Sequence, residues 1–253
     1  MTEQEPKPDC VRVGTAGWTI PKAVADSFSG TGTALVRYAT RFNAAEINST
    51  FRRQHRRSTY ETWAAAVPAN FRFAVKLRKS ITHQLKLVAT EREVDAFLDE
   101  VSALGAKLGP LLIQLPPSLA FNPDTANSFF SHLCSHWDRQ IACEPRNSTW
   151  FAESAGQLLR DYRVARVAAD PARIPPAAEF GGWEGFRYIR LHGSPRTYFS
   201  SYSKPYLAQL AASLAESNVE AWCIFDNTAS GAACENALQV IRNAGTRSAI
   251  GRL

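Results

Sequence analysis

Short, nearly continuous apolar runs alternate along this chain with stretches of helical periodicity. The runs cover 11–18, 44–48, 71–77, 109–117, 141–144, 164–171, 186–193 and 219–227. Continuous rather than alternating hydrophobicity predicts strands covered on both faces, hence a parallel sheet. Between them the spacing predicts helices over 34–42, 58–67, 91–104, 153–161, 204–216 and 230–243, and another beginning at Asn122-Pro123. Ser58 is the expected N-cap of the second. Thr90-Glu-Arg-Glu93 reads as a capping box, and Asn122-Pro123 as an N-cap followed by proline at the first helical position. The segment between Pro171 and Phe186 is rich in proline and glycine and reads as irregular. Eight strand–helix units in this length predict an α/β fold, a single (β/α)8 TIM barrel rather than an open doubly wound sheet. Residues 11–253 are expected to form that one domain, behind a disordered leader at 1–10.

Polar residues gather where the runs end. The stretch 139–146 has the apolar core Ile141-Ala142-Cys143 and closes on Glu144-Pro145-Arg146. Pro145 cannot donate a ladder hydrogen bond, so the strand should stop there. Glu144 and Arg146 then share a side, because side chains alternate along a strand. Other runs end on Glu46 and Asn48, Lys76, Gln114, Asp170, Arg190 and His192, and Asp226 with Asn227. In an α/β barrel these ends converge on one face, where such enzymes work. A ligand site on that face is therefore expected. The competing reading of Glu144 and Arg146 is a buried ion pair that finishes a strand. Replacing Glu144 with Gln or His192 with Asn should leave the melting temperature nearly unchanged or raise it, and abolish ligand binding, under the first reading; under the second it should cost ~3–5 kcal/mol of stability.

Composition narrows the class. With 45% hydrophobic and 21% charged residues the chain can bury a core, which argues against global disorder. The start carries no signal-peptide apolar region, and a cytoplasmic protein with no membrane partner is expected. The five cysteines are odd in number and none is spaced C-x-x-C, so neither disulfides nor structural zinc is expected. The net charge of +6 matters only through its placement. Arg52, Arg53, Arg56 and Arg57 follow the second run, Arg78 and Lys79 the third, Arg146 the fifth and Arg196 the seventh. With Lys76 and Arg190 they would give the rim a positive field suited to carboxylate or phosphate. Loops 192–196 and 227–231 offer glycines, hydroxyls and a helix N-terminus, where barrels commonly seat phosphate.

The catalytic candidates are Glu46, Glu144 and His192. His192 is the general acid–base candidate, because its reference pKa lies near neutrality. The substrate-binding candidates are Trp18, Asn48, Lys76, Gln114, Arg146, Arg190 and Asn227. Lys76 could form a Schiff base if desolvated, but an electrostatic anchor is the expected role. No cofactor is expected. Glu46, Glu144, Asp170 and His192 could ligate a divalent ion, yet the surrounding cations argue against metal. His132 and His136 have i, i+4 spacing, but no Glu follows the first and their helix is an outer one, so they read as surface or packing residues. The first functional expectation is a hydrolase or lyase acting on an anionic small molecule, such as a phosphorylated sugar or nucleotide. A nucleic-acid-binding or repair-type protein comes second, and a non-catalytic small-ligand binder third. Oligomeric state is not legible.

The chain resembles the YecE-like family, domain of unknown function seventy-two. The resemblance rests on Gly14-Thr-Ala-Gly-Trp18, Glu46-Ile-Asn-Ser-Thr-Phe51, Phe73-Ala-Val-Lys76 and Ile81-Thr-His83. It continues through Leu108-Gly-Pro-Leu-Leu-Ile-Gln-Leu-Pro-Pro117, Tyr188-Ile-Arg-Leu-His-Gly193 and Phe225-Asp-Asn-Thr228. Two positions depart from the family pattern: a usual histidine is Asn147 and a usual asparagine is Asp226. The resemblance implies a TIM barrel and no established activity. Its likeness in outline to sugar isomerases and apurinic-site endonucleases is one of fold alone.

Overall fold

The structure is a computed structural model that describes residues 11–250; the leader expected at 1–10 lies outside the described residues. Its strands are β1 (Val11–Thr15), β2 (Ala44–Ile47), β3 (Arg72–Lys76), β4 (Leu108–Gln114), β5 (Ile141–Glu144), β6 (Val164–Arg166), β7 (Ala168–Asp170), β8 (Gly181–Gly182), β9 (Phe186–Leu191) and β10 (Glu220–Phe225). Its helices are α1 (Ala34–Tyr38), α2 (Arg57–Ala65), α3 (Glu91–Ser102), α4 (Pro123–His136), α5 (Glu153–Asp161), α6 (Lys204–Ala215) and α7 (Ala232–Ile250).

One parallel arc runs β2-β3-β4-β5-β6 and the other β1-β10-β9-β7. The arcs share the segment 164–170, in which only Val167 separates β6, bonded to β5, from β7, bonded to β9. At the other seam Ala16 bridges Glu46, and the Gly17 N–H donates to the Glu46 carbonyl at 2.8 Å. Gly14 makes this approach sterically feasible, since a Cβ there would sit 2.0 Å from the Ala44 carbonyl oxygen. With β6 and β7 as one position and the short β8 set aside, eight strands make the round of a (β/α)8 barrel.

The period of two sorts each strand into two faces. Ile47, Val75, Ile113, Cys143, Leu191 and Cys223 pack in the layer beneath the helices. Ala44, Ala74, Leu112, Ala142, Tyr188, Trp222 and Ile224 fill the barrel. Two residues further along those inner rows stand Glu46, Lys76, Gln114, Glu144, Arg190 and Asp226, all buried. The inner rows are therefore apolar below and ionic at the C-terminal end.

Several local expectations need correction. Thr90 makes no side-chain cap bond and has φ −104° and ψ 4°, so the capping box does not form, although α3 starts at Glu91 as expected. Ser58 lies inside α2, whose N-cap is Arg56 with no side-chain bond. Asn122 does cap α4, accepting from Thr125 N at 2.9 Å with Pro123 in the first turn. The irregular segment after β7 holds a short 3-10 turn, Pro175–Ala178, and β8, which runs antiparallel to β6. Consecutive prolines remove the donors a longer helix would need there. Among the described residues no helix is long and apolar enough to cross a membrane.

Candidate functional site

Arg190 is the hub of the ionic layer. It is wholly buried, and its guanidinium serves three carboxylates. Nε and Nη2 donate to the two oxygens of Glu46 at 3.0 and 2.8 Å, a fork-to-fork pairing. Nη1 donates to Glu144 Oε2 at 2.6 Å and Nη2 to Asp226 Oδ2 at 3.0 Å. Burial alone would lower the Arg190 pKa, but Glu46, Asp226 and Glu144 outweigh it and hold the charge firmly. Tyr188, one step down the same row, donates its hydroxyl to Glu46 Oε2 at 3.0 Å.

His192 is held between two of these carboxylates. Its Nδ1 lies 3.0 Å from Asp226 Oδ2 and its Nε2 lies 3.2 Å from Glu144 Oε1. Burial opposes the charged imidazole, but Glu144 and Asp226 prevail and raise its pKa above the ordinary histidine value. Burial likewise disfavours charge on Glu144, yet Arg190, His192 and Arg146 hold it well below the usual carboxylate range. Asp226 is lowered by Arg190 and His192 against the same burial cost. Arg146 donates from Nε and Nη2 to Glu144 Oε1 at 3.1 and 3.0 Å, so the two residues do share a side of the chain. Lys76 donates to Gln114 Oε1 at 2.9 Å and sits over the Phe51 ring at 4.3 Å. Burial, with Arg190 alongside, lowers it to about 8.

A cavity of about 390 Å³ opens on one side of this layer, lined by Glu144, Arg146, Arg173, His192 and Tyr198 among others. Arg173 is exposed there and makes no ion pair or hydrogen bond to another described residue. One carboxylate, already shared among three donors, therefore faces two guanidiniums and the His192 ring, whose charge the neighbouring carboxylates favour. The local field is positive.

The other expected site residues stand apart from this cavity. Glu46 is wholly buried beneath Arg190 and does not line it. Trp18 packs edge-on against Trp63 and Phe73, with ring centroids 5.0 and 5.9 Å away. Asn48 begins the short turn Ser49–Phe51 and makes no side-chain cap bond. Asn227 donates to Ser200 O and Asn236 Oδ1, both at 2.9 Å, and so straps the 193–202 loop to α7. That loop spends several of the donors expected for phosphate. Gly193 N–H is spent on the Tyr202 hydroxyl at 2.9 Å and Arg196 N–H on Ser200 Oγ at 3.0 Å. Ser230 Oγ donates to Phe199 O at 2.5 Å and Gly231 N–H to Thr228 O at 3.1 Å. The chain's own oxygens thus take up part of the cradle expected for an anion, while Thr228, Ser230 and Gly231 still line a cavity of about 410 Å³ with Thr15 and Thr19. Gly193 has φ +92°, and a Cβ there would meet Ser200 O at 2.8 Å, so glycine is what allows the loop to fold back.

The basic loop after β2 is also partly committed. Arg57 pairs with Asp99 at 3.0 Å, and Arg78 pairs with Glu100 on α3. Arg52, Arg53 and Lys79 remain around a depression of about 370 Å³.

The charge pairs set a pH dependence. His192 has a raised folded pKa, so its contribution is complete below ~6.5 and is lost as pH rises through the folded value. Glu144 and Asp226 are depressed, so theirs is present above ~4.5 and is lost as pH falls through their folded values. Urea midpoints should therefore peak between about pH 4.5 and 6.5 and decline towards pH 8. His192→Asn should flatten that alkaline decline; an unchanged slope would mean that His192 is neutral throughout.

A family model described as "Protein of unknown function DUF72" matches residues 12–251. The Escherichia coli K12 protein named UPF0759 protein YecE is 30% identical over 173 residues, which is 66% of this chain and 61% of that relative. The chain thus spans less than two thirds of that relative's length. A solved DUF72 protein from Enterococcus faecalis V583 superposes with a TM-score of 0.77 at 21% identity, over 93% of this chain and 95% of that one. A DUF72 protein from Thermotoga maritima gives 0.72 at 23% identity, over 92% and 98%. At these identities the structures speak for the fold, while the match over 12–251 decides the family: the chain belongs to DUF72.

Proposed function

We propose that this protein is an enzyme, a hydrolase or lyase, that binds a small anionic substrate in the cavity above Glu144 and His192. The observation that carries the reading is the unpaired Arg173 beside Arg146 and His192 at the cavity mouth. Arginine forks suit carboxylate or phosphate oxygens, and Arg173 is free to turn towards one. His192, whose charge two carboxylates favour, is the general acid: its Nε2 proton, held here against Glu144 Oε1, would pass to a leaving group or carbonyl oxygen once the substrate displaces that contact. Glu144 and Asp226 fix the ring and stabilise its charge. A carboxylate held this far below its usual range is a weak base, so Glu144 positions rather than abstracts. Glu46 anchors Arg190 from below. Lys76 and Gln114 shape the field of the inner rim without lining the cavity.

A nucleic-acid reading draws on the exposed Arg52, Arg53 and Lys79. A track needs charges that continue from loop to loop, whereas Arg57 and Arg78 are spent on α3. Binding to duplex DNA is therefore expected to be weak and to vanish near ~0.15 M salt, as counterion release makes it steeply salt-dependent. Submicromolar DNA binding at that salt, lost when Arg52, Arg53, Arg56 and Arg57 are replaced together, would reverse the ranking.

A further inference from the structure

Two histidines at i, i+4 on one helix present their rings on the same side, one turn apart. His132 and His136 do so on α4, with ring centroids 4.6 Å apart. The sequence offers no third ligand on that helix. Packing supplies one, because α3 lies beside α4 and sets Asp95 against the pair. Asp95 Oδ1 is 2.7 Å from His132 Nε2, and one donor atom from each of the three residues falls within 4.8 Å of the others. Among the described residues no other group of three histidine, cysteine or acidic side chains meets that spacing.

We propose that α3 and α4 carry a solvent-facing site for a divalent ion of the zinc class, ligated by Asp95, His132 and His136. Three details support a site over a chance surface grouping. Imidazole and carboxylate donors together suit zinc and its neighbours, whereas calcium and magnesium call for oxygen alone. His136 Nδ1 lies 3.0 Å from the His132 carbonyl oxygen and 2.8 Å from Ser135 Oγ. A proton on Nδ1 donated to that carbonyl leaves the Nε2 lone pair outward, the backbone-anchored arrangement common to metal-binding histidines. The side chains of His132 and Asp95 are 23% and 50% exposed, so an ion and its water can reach them.

The fit is close. Ligands at ~2.0–2.2 Å around a tetrahedral ion stand ~3.3 Å apart. The Asp95–His132 pair must therefore open by about half an ångström, and both side chains are exposed enough to move. Water completes the coordination. The bound ion ties α3 to α4 on the outside of the barrel, and neither helix supplies a residue to the cavity above Glu144. The expectation against metal at the barrel rim is a separate matter.

Metal-stripped full-length protein should be titrated with zinc chloride at about pH 7.5, near neutrality. One saturable equivalent by calorimetry and a zinc-dependent rise in melting temperature are expected, because an ion that binds only the folded state stabilises it. His132→Ala and His136→Ala should each weaken binding by at least ~10-fold. Asp95→Asn should weaken it in the same sense. His192→Asn, which touches only the rim, should leave the zinc isotherm unchanged. The proposal is overturned if zinc does not saturate, if binding survives in both histidine variants, or if magnesium serves equally well. Loss of binding in His192→Asn with retention in His136→Ala would overturn it too, by moving the metal to the rim.

Discussion

Replacing Arg190 with methionine should lower stability by ~3–5 kcal/mol, as expected when one partner of a buried ionic group is removed. The change leaves Glu46, Glu144 and Asp226 close together without their shared cation. Lys76 and His192 cannot replace it, because one is bonded to Gln114 and the other already serves Glu144 and Asp226. Arg190→Lys should recover little, since a single ammonium cannot reproduce the fork to Glu46 and also reach both other carboxylates. The loss should shrink in acid, because without the guanidinium Glu144 and Asp226 can take up the protons that Arg190 denies them in the wild type. Urea unfolding at pH 7 and pH 4 reads both effects. An Arg190→Met protein with the wild-type midpoint would mean that the layer is not held by its central charge.

His192→Asn should reduce turnover of the natural substrate by ~10²–10⁴-fold, the usual contribution of a positioned general acid. Its effect on stability should be far smaller than that of Arg190→Met. Asparagine still donates to one carboxylate, and Arg190 and Arg146 remain to neutralise Glu144. Glu144→Gln is different. That carboxylate accepts from Arg190, Arg146 and His192 at once, so its loss should cost stability as well as activity. The sequence suggested similar tolerance at both positions, and the structure separates them. Circular dichroism melts set beside turnover numbers distinguish the two cases.

The inner rows were readable because a strand's side chains alternate and barrel strands end on one face. Glu46, Lys76, Gln114, Glu144 and Arg190 all follow from that single rule, as does the pairing of Glu144 with Arg146. Asp226 reads in the sequence as one more polar residue at the end of a run. Its neutralisation by Arg190 and His192 comes from the end of β9, the strand that pairs with β10, and no spacing within one strand discloses it. Tyr188 looks like an ordinary aromatic of a buried strand, and nothing local shows that its hydroxyl supports Glu46. Arg173 and Tyr198 lie in loops with no period to reveal where their side chains go. Trp18 and Asn227 sit beside polar strand ends in the sequence, but their side chains turn to packing and a loop strap, and Asn48 only precedes a short turn, to which its side chain makes no cap bond. Asp95 joins His132 and His136 only through the packing of two helices, which helical spacing within α4 could not disclose.

The most direct test is to learn what the cavity holds. Immobilised wild-type protein should be exposed to a small-molecule extract, and the bound compounds identified by mass spectrometry beside those held by an Arg146→Ala, Arg173→Ala double variant. The account predicts that wild type enriches one or a few compounds bearing a carboxylate or phosphate, and that the double variant loses them while remaining folded. Retention of the same compounds by the double variant, or enrichment of neutral or cationic molecules alone, would contradict it.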